Sequence, residues 1–379
     1  MHTPTNARLT STGCAERRRR LTEAMLSHDL HACLVTDPRD IYYFTAQLIP
    51  ADLPVALVVE SSGLATLVAP EGFAAEAPLV SVEYGWNQRG TRNPDNAATM
   101  AARLREVLQP LARGVMGIQL ESPAAIVAQM LASTLPTRTF PMDSLLAEMQ
   151  RCKDADEIAV IRESIRANLG AYESVRQAIA PGVTELDVLA AGYRGAMQAV
   201  GEKVWHDGDY RSGEYNGPAR DRRLEAGELY IVDAWTCHRG YWSDMSRTFV
   251  VGAEPTAIQR ELFDHIRWVH QQASLILRPG VDGRDVYREL DGLIRRHPPL
   301  AAEGLIHHGG HAIGLRIHEM PDLNRDRGGR LEPGQILCVE PGGYFPAARM
   351  GVRLENMYAI TADGCEDLCP GEIELHACG

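Results

Sequence analysis

The first 150 residues alternate short apolar runs with longer amphipathic stretches. An amphipathic segment near residues 16–28 leads into ACLVT, and VALVVES and ATLVAP follow. A helical pattern, NAATMAARLREVLQPL, then precedes VMGIQL, and another, AAIVAQMLAST, comes after it. Strand-like runs interleaved with helix-period segments predict an α/β layer domain over residues 1–150. A second unit, 151–379, opens at Asp154. Asp154 and Glu157 have capping-box spacing, and Ile158, Ile161, Ile165, Leu169 and Tyr172 recur at helical intervals. Pro181-Gly182 ends that helix, and Thr184 starts the next, ELDVLAAGYRGAMQAVG.

The second unit echoes itself. Helical segments at 155–179 and 185–200 precede LEAGELYIVDAW (224–235), and segments at about 257–277 and 284–296 precede LEPGQILCVEPG (331–342). In each, a carboxylate stands six residues after the turn glycine: Gly227 to Asp233, and Gly334 to Glu340. Each also has an acidic partner downstream, Asp244 in GYWSDMSRT and Glu355 in GVRLENM. An α-α-β-β unit used twice predicts two carboxylate-bearing hairpins on one curved sheet.

Asp233 and Glu340 stand in otherwise apolar strands, where a bare carboxylate costs on the order of several kcal/mol. Either one alone is satisfied by an arginine such as Arg247 or Arg353. Four acids with no comparable set of buried basic residues point instead to cations. The stretch HHGGHAIGLRIHE (307–319) adds four histidines and a glutamate. Four carboxylates and one imidazole neutralise two divalent ions and leave room for a bridging hydroxide. Such an oxygen-rich set suits Mn²⁺, Co²⁺, Fe²⁺ or Zn²⁺. Two such ions roughly 3.5–4 Å apart polarise a carbonyl and acidify a shared water.

Composition narrows the partners. An apolar fraction of 45% with 23% charged residues is that of a soluble globular protein. A net charge of −12 argues against nucleic acid or an anionic membrane as a partner. No apolar run reaches the roughly 18 residues of a membrane span, and MHTPTNARLTSTGCAERRRR lacks the apolar core of a signal peptide. RRRR at 17–20 opens directly into LTEAMLSHDL and reads as the solvated face of a first helix. The eight scattered cysteines read as reduced thiols of a cytoplasmic protein. The irregular spacing of Cys365, Cys369, His376 and Cys378 argues against a zinc site there.

Taken together, IVDAWTCHRGYWSDMSRTF, HHGGHAIGLRIHE, LCVEPG and GVRLEN resemble the successive motifs of the pita-bread superfamily, metallopeptidase family M24. The likeness is nearest to its aminopeptidase P and prolidase branch, and RLTEAMLSHDLHACLVTDPRDIYYFTA resembles the start of that branch's N-terminal domain. The resemblance implies an α/β creatinase-like domain followed by an α+β pita-bread domain with a curved antiparallel sheet. It implies a homodimer acting on small peptides, cleaving the Xaa-Pro bond at a peptide's N-terminus or in dipeptides. It also implies two divalent metal ions, Mn²⁺ foremost, with Co²⁺, Zn²⁺ or Fe²⁺ as alternatives. Carried over by position, the metal ligands are Asp233, Asp244, His311, Glu340 and Glu355, with Asp244 and Glu355 bridging. The same likeness places His307 and His318 at the substrate carbonyl and its oxyanion, makes Glu340 the general base, and puts Arg353 near the substrate's far end. His308 stands where the family commonly has glycine and is expected to have no catalytic role.

Two positions depart from the branch. Asn216 stands where an active-site histidine is usual; an amide forms hydrogen bonds but cannot shuttle a proton near neutral pH. His206, in VWHDGDYRSG, is the candidate substitute. Trp235 occupies the glycine of an Asp-x-Gly motif, either as an aromatic wall of the cleft or as core. Asn216, His206 and Trp235 therefore join Arg353 as candidate substrate-binding residues. A small non-peptide amide or related compound, as for ectoine-hydrolase-like or lyase relatives, is the alternative substrate. A non-catalytic interaction module is the third reading, which retention of all five ligands disfavours.

Overall fold

Thr10 starts the first helix by accepting the backbone N–H of Gly13 on its hydroxyl. The computed structural model describes residues 7–76, 78–111, 113–122, 125–134, 138–213, 215–345, 350–369 and 371–379. These fall into two units, Arg8–Gln150 and Arg151–Gly379, with Ala7 belonging to the second. The first unit runs α1 (Ser11–Ser27), β1 (Leu30–Val35), α2 (Pro38–Thr45), β2 (Ala56–Glu60), β3 (Ala65–Pro70) and β4 (Val80–Tyr84). A small hairpin of β5 (Asn87–Gln88) and β6 (Thr91–Arg92) follows, then α3 (Asn96–Leu108), β7 (Val115–Ile118), α4 (Ala125–Thr134), β8 (Thr139–Pro141) and α5 (Asp143–Gln150). Its mixed sheet has the order β4-β3-β2-β1-β7-β8. Leu34, Val58 and Val68 of the sheet pack with Met100 and Leu104 of α3.

The arginine run of α1 is not the solvated face expected from sequence. Arg17 and Arg18 are buried. Arg17 donates to the carbonyl of Tyr43 and lies 4.9 Å from the centre of its ring, and Arg18 donates to the carbonyl of Phe44. Both carbonyls belong to the last turn of α2, where backbone acceptors lack helical partners and cations are favoured.

The second unit contains α6 (Ala155–Ala178), α7 (Glu185–Val200), β9 (Trp205–Asp209), β10 (Leu229–His238), β11 (Tyr241–Val251), α8 (Ala257–Ile276) and α9 (Gly283–Ile294). After these come β12 (Gly310–Ala312), β13 (Glu319–Leu323), β14 (Ile336–Val339), β15 (Gly342–Phe345), β16 (Met350–Arg353), β17 (Asn356–Ile360), β18 (Cys365–Asp367) and β19 (His376–Cys378). Two helices thus precede each set of strands. One sheet is ordered β19-β11-β10-β9 and the other β13-β12-β14-β17-β18. They meet where the N–H of Glu355 donates to the carbonyl of Ser246 at 3.1 Å.

Helices cover the back of each sheet by different chemistry. Leu262, Ile266 and Val269 of α8, with Val286 and Leu290 of α9, pack on Ala312, Leu337, Val339 and Tyr358. Behind β10 and β11, α6 instead presents a polar stripe at four-residue spacing, which keeps its members on one face. The Ser164 hydroxyl donates to the carbonyl of Tyr241 (2.9 Å), and the Asn168 amide donates to that of Ala234 (2.6 Å). Tyr172 places its hydroxyl between the carbonyls of Val232 (3.0 Å) and Met245. Gly170 and Gly195 let α6 and α7 close together, since a Cβ on Gly170 would stand 2.4 Å from that of Ala199.

Val232 and Met245 are the chain neighbours of Asp233 and Asp244, so Tyr172 pins the two strands beside those acids. Tyr172→Phe is expected to lower stability by about 1–2 kcal/mol, as for a lost buried hydrogen bond, and to weaken divalent-metal binding. Denaturant unfolding and metal titration check this; unchanged stability and affinity would contradict it.

Candidate metal centre

Strand register decides which side chains meet. Residues directly opposite on neighbouring strands share a face, and alternate residues point to opposite faces. On β10, Asp233 lies opposite Asp209 and Ser246, Trp235 opposite Asp207 and Asp244, and Cys237 opposite Trp205 and Trp242. The front of this sheet therefore carries acids at one end and an aromatic row at the other. Trp205 and Trp242 meet edge to face, with ring centres 5.4 Å apart. In the second sheet His311 lies opposite Cys338, and Cys338 opposite Met357. Glu340 follows Cys338 by two positions and faces the same way. Glu355 enters from between β16 and β17 at the bridge to Ser246.

Of these, Trp205, Asp209 and Trp242 line one cavity of about 450 Å³, whereas Asp207, Cys237, Cys338 and Met357 are not among its walls. It holds all five expected ligands, Asp233, Asp244, His311, Glu340 and Glu355, together with His307, His318, Arg353, Asn216 and Trp235. Trp235 is thus a cavity wall rather than core. Asp244, His311, Cys338 and Glu355 bring one donor atom each within 4.8 Å of one another, and so do Asp233, Glu340 and Glu355. Glu355 is common to both groups.

His311 Nδ1 donates to the carbonyl of Ala312 at 3.0 Å, which leaves the lone pair on Nε2. That nitrogen faces Asp244 Oδ2 and Glu340 Oε1, each at 3.8 Å, beyond hydrogen-bonding distance. Asp244 Oδ1 and Glu355 Oε1 are buried with no hydrogen-bond partner. Converging carboxylate and imidazole lone pairs fit a divalent cation bound by oxygen and nitrogen.

The electrostatics agree with that fit. Burial pushes Asp244 well above the usual carboxylate range, and the charges of Asp233 and Glu340 add to the effect. Glu355 is raised likewise by burial, then by Asp244 and Glu340. Burial also raises Asp233, although Arg353 pairs with it directly. Glu340 behaves differently: burial would raise it, but His308, Arg353 and His307 hold it below its ordinary value. Burial lowers His311 to about 4, leaving its imidazole neutral and able to ligate.

Two expectations need correction. His206 does not reach the cavity. It sits opposite Thr236 on the other face of the sheet, buried, with Nδ1 2.7 Å from the Thr236 hydroxyl and Nε2 2.8 Å from that of Tyr210. His307 reaches the cavity, but both its ring nitrogens are engaged. Arg353 Nε donates to the Tyr344 hydroxyl (2.9 Å), which donates to His307 Nε2 (2.8 Å), and His307 Nδ1 donates to the carbonyl of His308 (2.6 Å). Burial and Arg353 lower His307 to about 3, so it stays neutral with no N–H left for a substrate oxygen.

Other residues were missed. His308, set aside on sequence grounds, lies 3.2 Å from Glu340 Oε1, and that carboxylate raises it despite burial. Asp209 lines the cavity and is pushed up to about 6 by burial and by Asp233.

The profile of metallopeptidase family M24 matches residues 159–362, and that of the creatinase/prolidase N-terminal domain matches residues 17–152. The chain is 26% identical over 367 residues to an Xaa-Pro dipeptidase of Pyrococcus furiosus, covering 95% of this chain and 99% of the relative. It is 31% identical over 246 residues to an Xaa-Pro dipeptidase of Lactobacillus delbrueckii subsp. lactis, covering 62% and 65%. The crystal structure of the prolidase from Pyrococcus horikoshii OT3 superposes with a TM-score of 0.79 at 23% identity, over 95% of this chain and 99% of that one.

A carboxyl raised in the fold stabilises it at low pH and loses that contribution as pH rises through the raised value. For Asp244 and Glu355 the loss begins at the ordinary carboxylate range and runs upward. Divalent ions displace those protons. The gain in melting temperature on adding Mn²⁺ to chelator-treated protein is therefore expected to grow from mildly acidic to neutral buffer. Thermal melts at matched free metal check this; a gain flat with pH would contradict it.

Proposed function

The chain belongs to metallopeptidase family M24, and from that membership we propose that it is a two-metal hydrolase cleaving the Xaa-Pro bond of dipeptides. The observation that carries the reading is the pair of buried donor groups sharing Glu355. In this proposal Asp233, Asp244, His311, Glu340 and Glu355 would hold the two ions, with Asp244 and Glu355 shared between them. Asp244 is placed for this, with one oxygen toward His311 and the other without a hydrogen-bond partner. When bound, the ions, with Mn²⁺ foremost, supply Lewis-acid polarisation of the scissile carbonyl and lower the pKa of water.

The remaining work falls to the chain. Glu340, held ionised by its neighbours, takes a proton from the attacking water and returns it to the proline nitrogen as that leaves. His318, for which neither ring nitrogen has a hydrogen bond among the described residues, donates to the developing oxyanion. His307 and Tyr344 hold Arg353 in place toward the substrate's far end. Trp235, with Trp205 and Trp242 beyond it, receives the side chain that precedes proline. Asn216 hydrogen-bonds substrate at the mouth, without titrating. Its place on the cavity wall, where the branch has a histidine, favours a small non-peptide amide as the second reading. A homodimer is carried with the proposal on the family resemblance, and a cytoplasmic location on the scattered cysteines read as reduced thiols. Among the described residues, no helix is long and apolar enough to cross a membrane.

Xaa-Pro dipeptides, Xaa-Pro-Xaa tripeptides and small non-peptide amides assayed side by side with Mn²⁺ test the substrate. Dipeptide turnover is expected to lead; turnover of the non-peptide amides alone would overturn it. Glu355→Ala is expected to abolish activity together with metal content, and full activity in that variant would refute the centre. His318→Ala is expected to lower kcat by roughly 10²–10³-fold, as for one lost oxyanion donor, while retaining metal.

A further inference from the structure

Three indoles and one acid line the cavity without a place among the five expected ligands: Trp205, Trp235, Trp242 and Asp209. Strand register brings them together. Trp205 and Asp209 are four residues apart on β9 and so face the same way. They lie opposite Cys237 and Asp233 of β10, and Trp235 stands between those two positions. Trp242 of β11 also lies opposite Cys237 and meets Trp205 edge to face. Trp205 is nonetheless 53% exposed. An indole left that open beside a cavity offers apolar, electron-rich surface to whatever enters.

Asp209 sets the character of that surface. It makes no ion pair among the described residues; Arg353 and Arg211 act on it through space, and Arg353 is already paired with Asp233. An apolar side chain seated against the indoles would strip water from Asp209 and leave its charge bare, which is costly. A cationic side chain avoids that cost, and indole faces attract cations within about 6 Å of the ring centre. We propose that the pocket of Trp205, Trp235, Trp242 and Asp209 selects a cationic side chain, lysine or arginine, on the residue that precedes proline. This rests on the Xaa-Pro reading above and names the class of its first residue. The substrate's α-ammonium is a second positive group, but it belongs to the backbone and gives no use to a row of three indoles.

Hydrolysis of Arg-Pro and citrulline-Pro by the full-length, Mn²⁺-loaded protein tests this, with Leu-Pro as a third substrate. Citrulline has the shape of arginine without its charge, and both dipeptides carry the same α-ammonium. The wild type is expected to favour Arg-Pro over citrulline-Pro by at least about tenfold in kcat/KM, as for a charged hydrogen bond with cation–π support. In Asp209→Asn that ratio is expected to fall toward one. Equal kcat/KM for the two in the wild type would overturn the proposal and leave Xaa-Pro hydrolysis standing. A ratio unchanged in Asp209→Asn, with both substrates slowed alike, would assign Asp209 to the α-ammonium and overturn it too. Turnover of Leu-Pro alone would do the same, whereas turnover of no Xaa-Pro dipeptide would overturn both readings. The wild-type ratio decides for or against charge selection even if the variant folds poorly.

Discussion

Four carboxylates crowd the front of one curved surface, none more than 6% exposed: Asp233, Asp244, Glu340 and Glu355. Two unit charges 4 Å apart repel by about 4 kcal/mol at an effective dielectric constant near 20. Leaving all four ionised would therefore consume most of the stability of an ordinary domain. The chain relieves part of the repulsion itself. Arg353 pairs with Asp233, imidazoles surround Glu340, and Asp244 and Glu355 hold protons above their usual range. Divalent cations relieve the remainder in the proposed centre. The same repulsion that makes the site costly thus makes it selective for multiply charged partners.

Everything behind the sheet serves to keep those acids in register. A slip of one residue would turn each of them to the other face. Along β14 and β17, apolar packing by α8 and α9 prevents this. Along β10 and β11 the same task falls to hydrogen bonds from Ser164, Asn168 and Tyr172, which recognise backbone carbonyls at fixed positions. The Ser246–Glu355 bridge then sets the two halves against each other. Catalytic geometry is here a consequence of strand register, with α6 as its gauge.

Much of this was legible in the sequence because it is written in repeated spacing. The twofold echo placed the acids of Asp233, Asp244, Glu340 and Glu355 on two hairpins, and the long helices announced themselves by period and cap. The misses have physical reasons. β9 reads WHDGD, too polar to look like a strand, yet it decides that His206 faces away and that Trp205 joins the aromatic row. Arg17 and Arg18 looked solvated because a charge run gives no hint of the helix end that receives it. His308 was set aside because sequence position alone does not reveal which carboxylate a side chain meets.

The central claim is that two divalent ions share Glu355 in one buried cluster. Electron paramagnetic resonance of the protein fully loaded with Mn²⁺ tests it most directly. Two ions bridged by a carboxylate are predicted to give a broad, exchange-coupled spectrum. The hyperfine pattern of isolated Mn²⁺ at full loading would contradict the account.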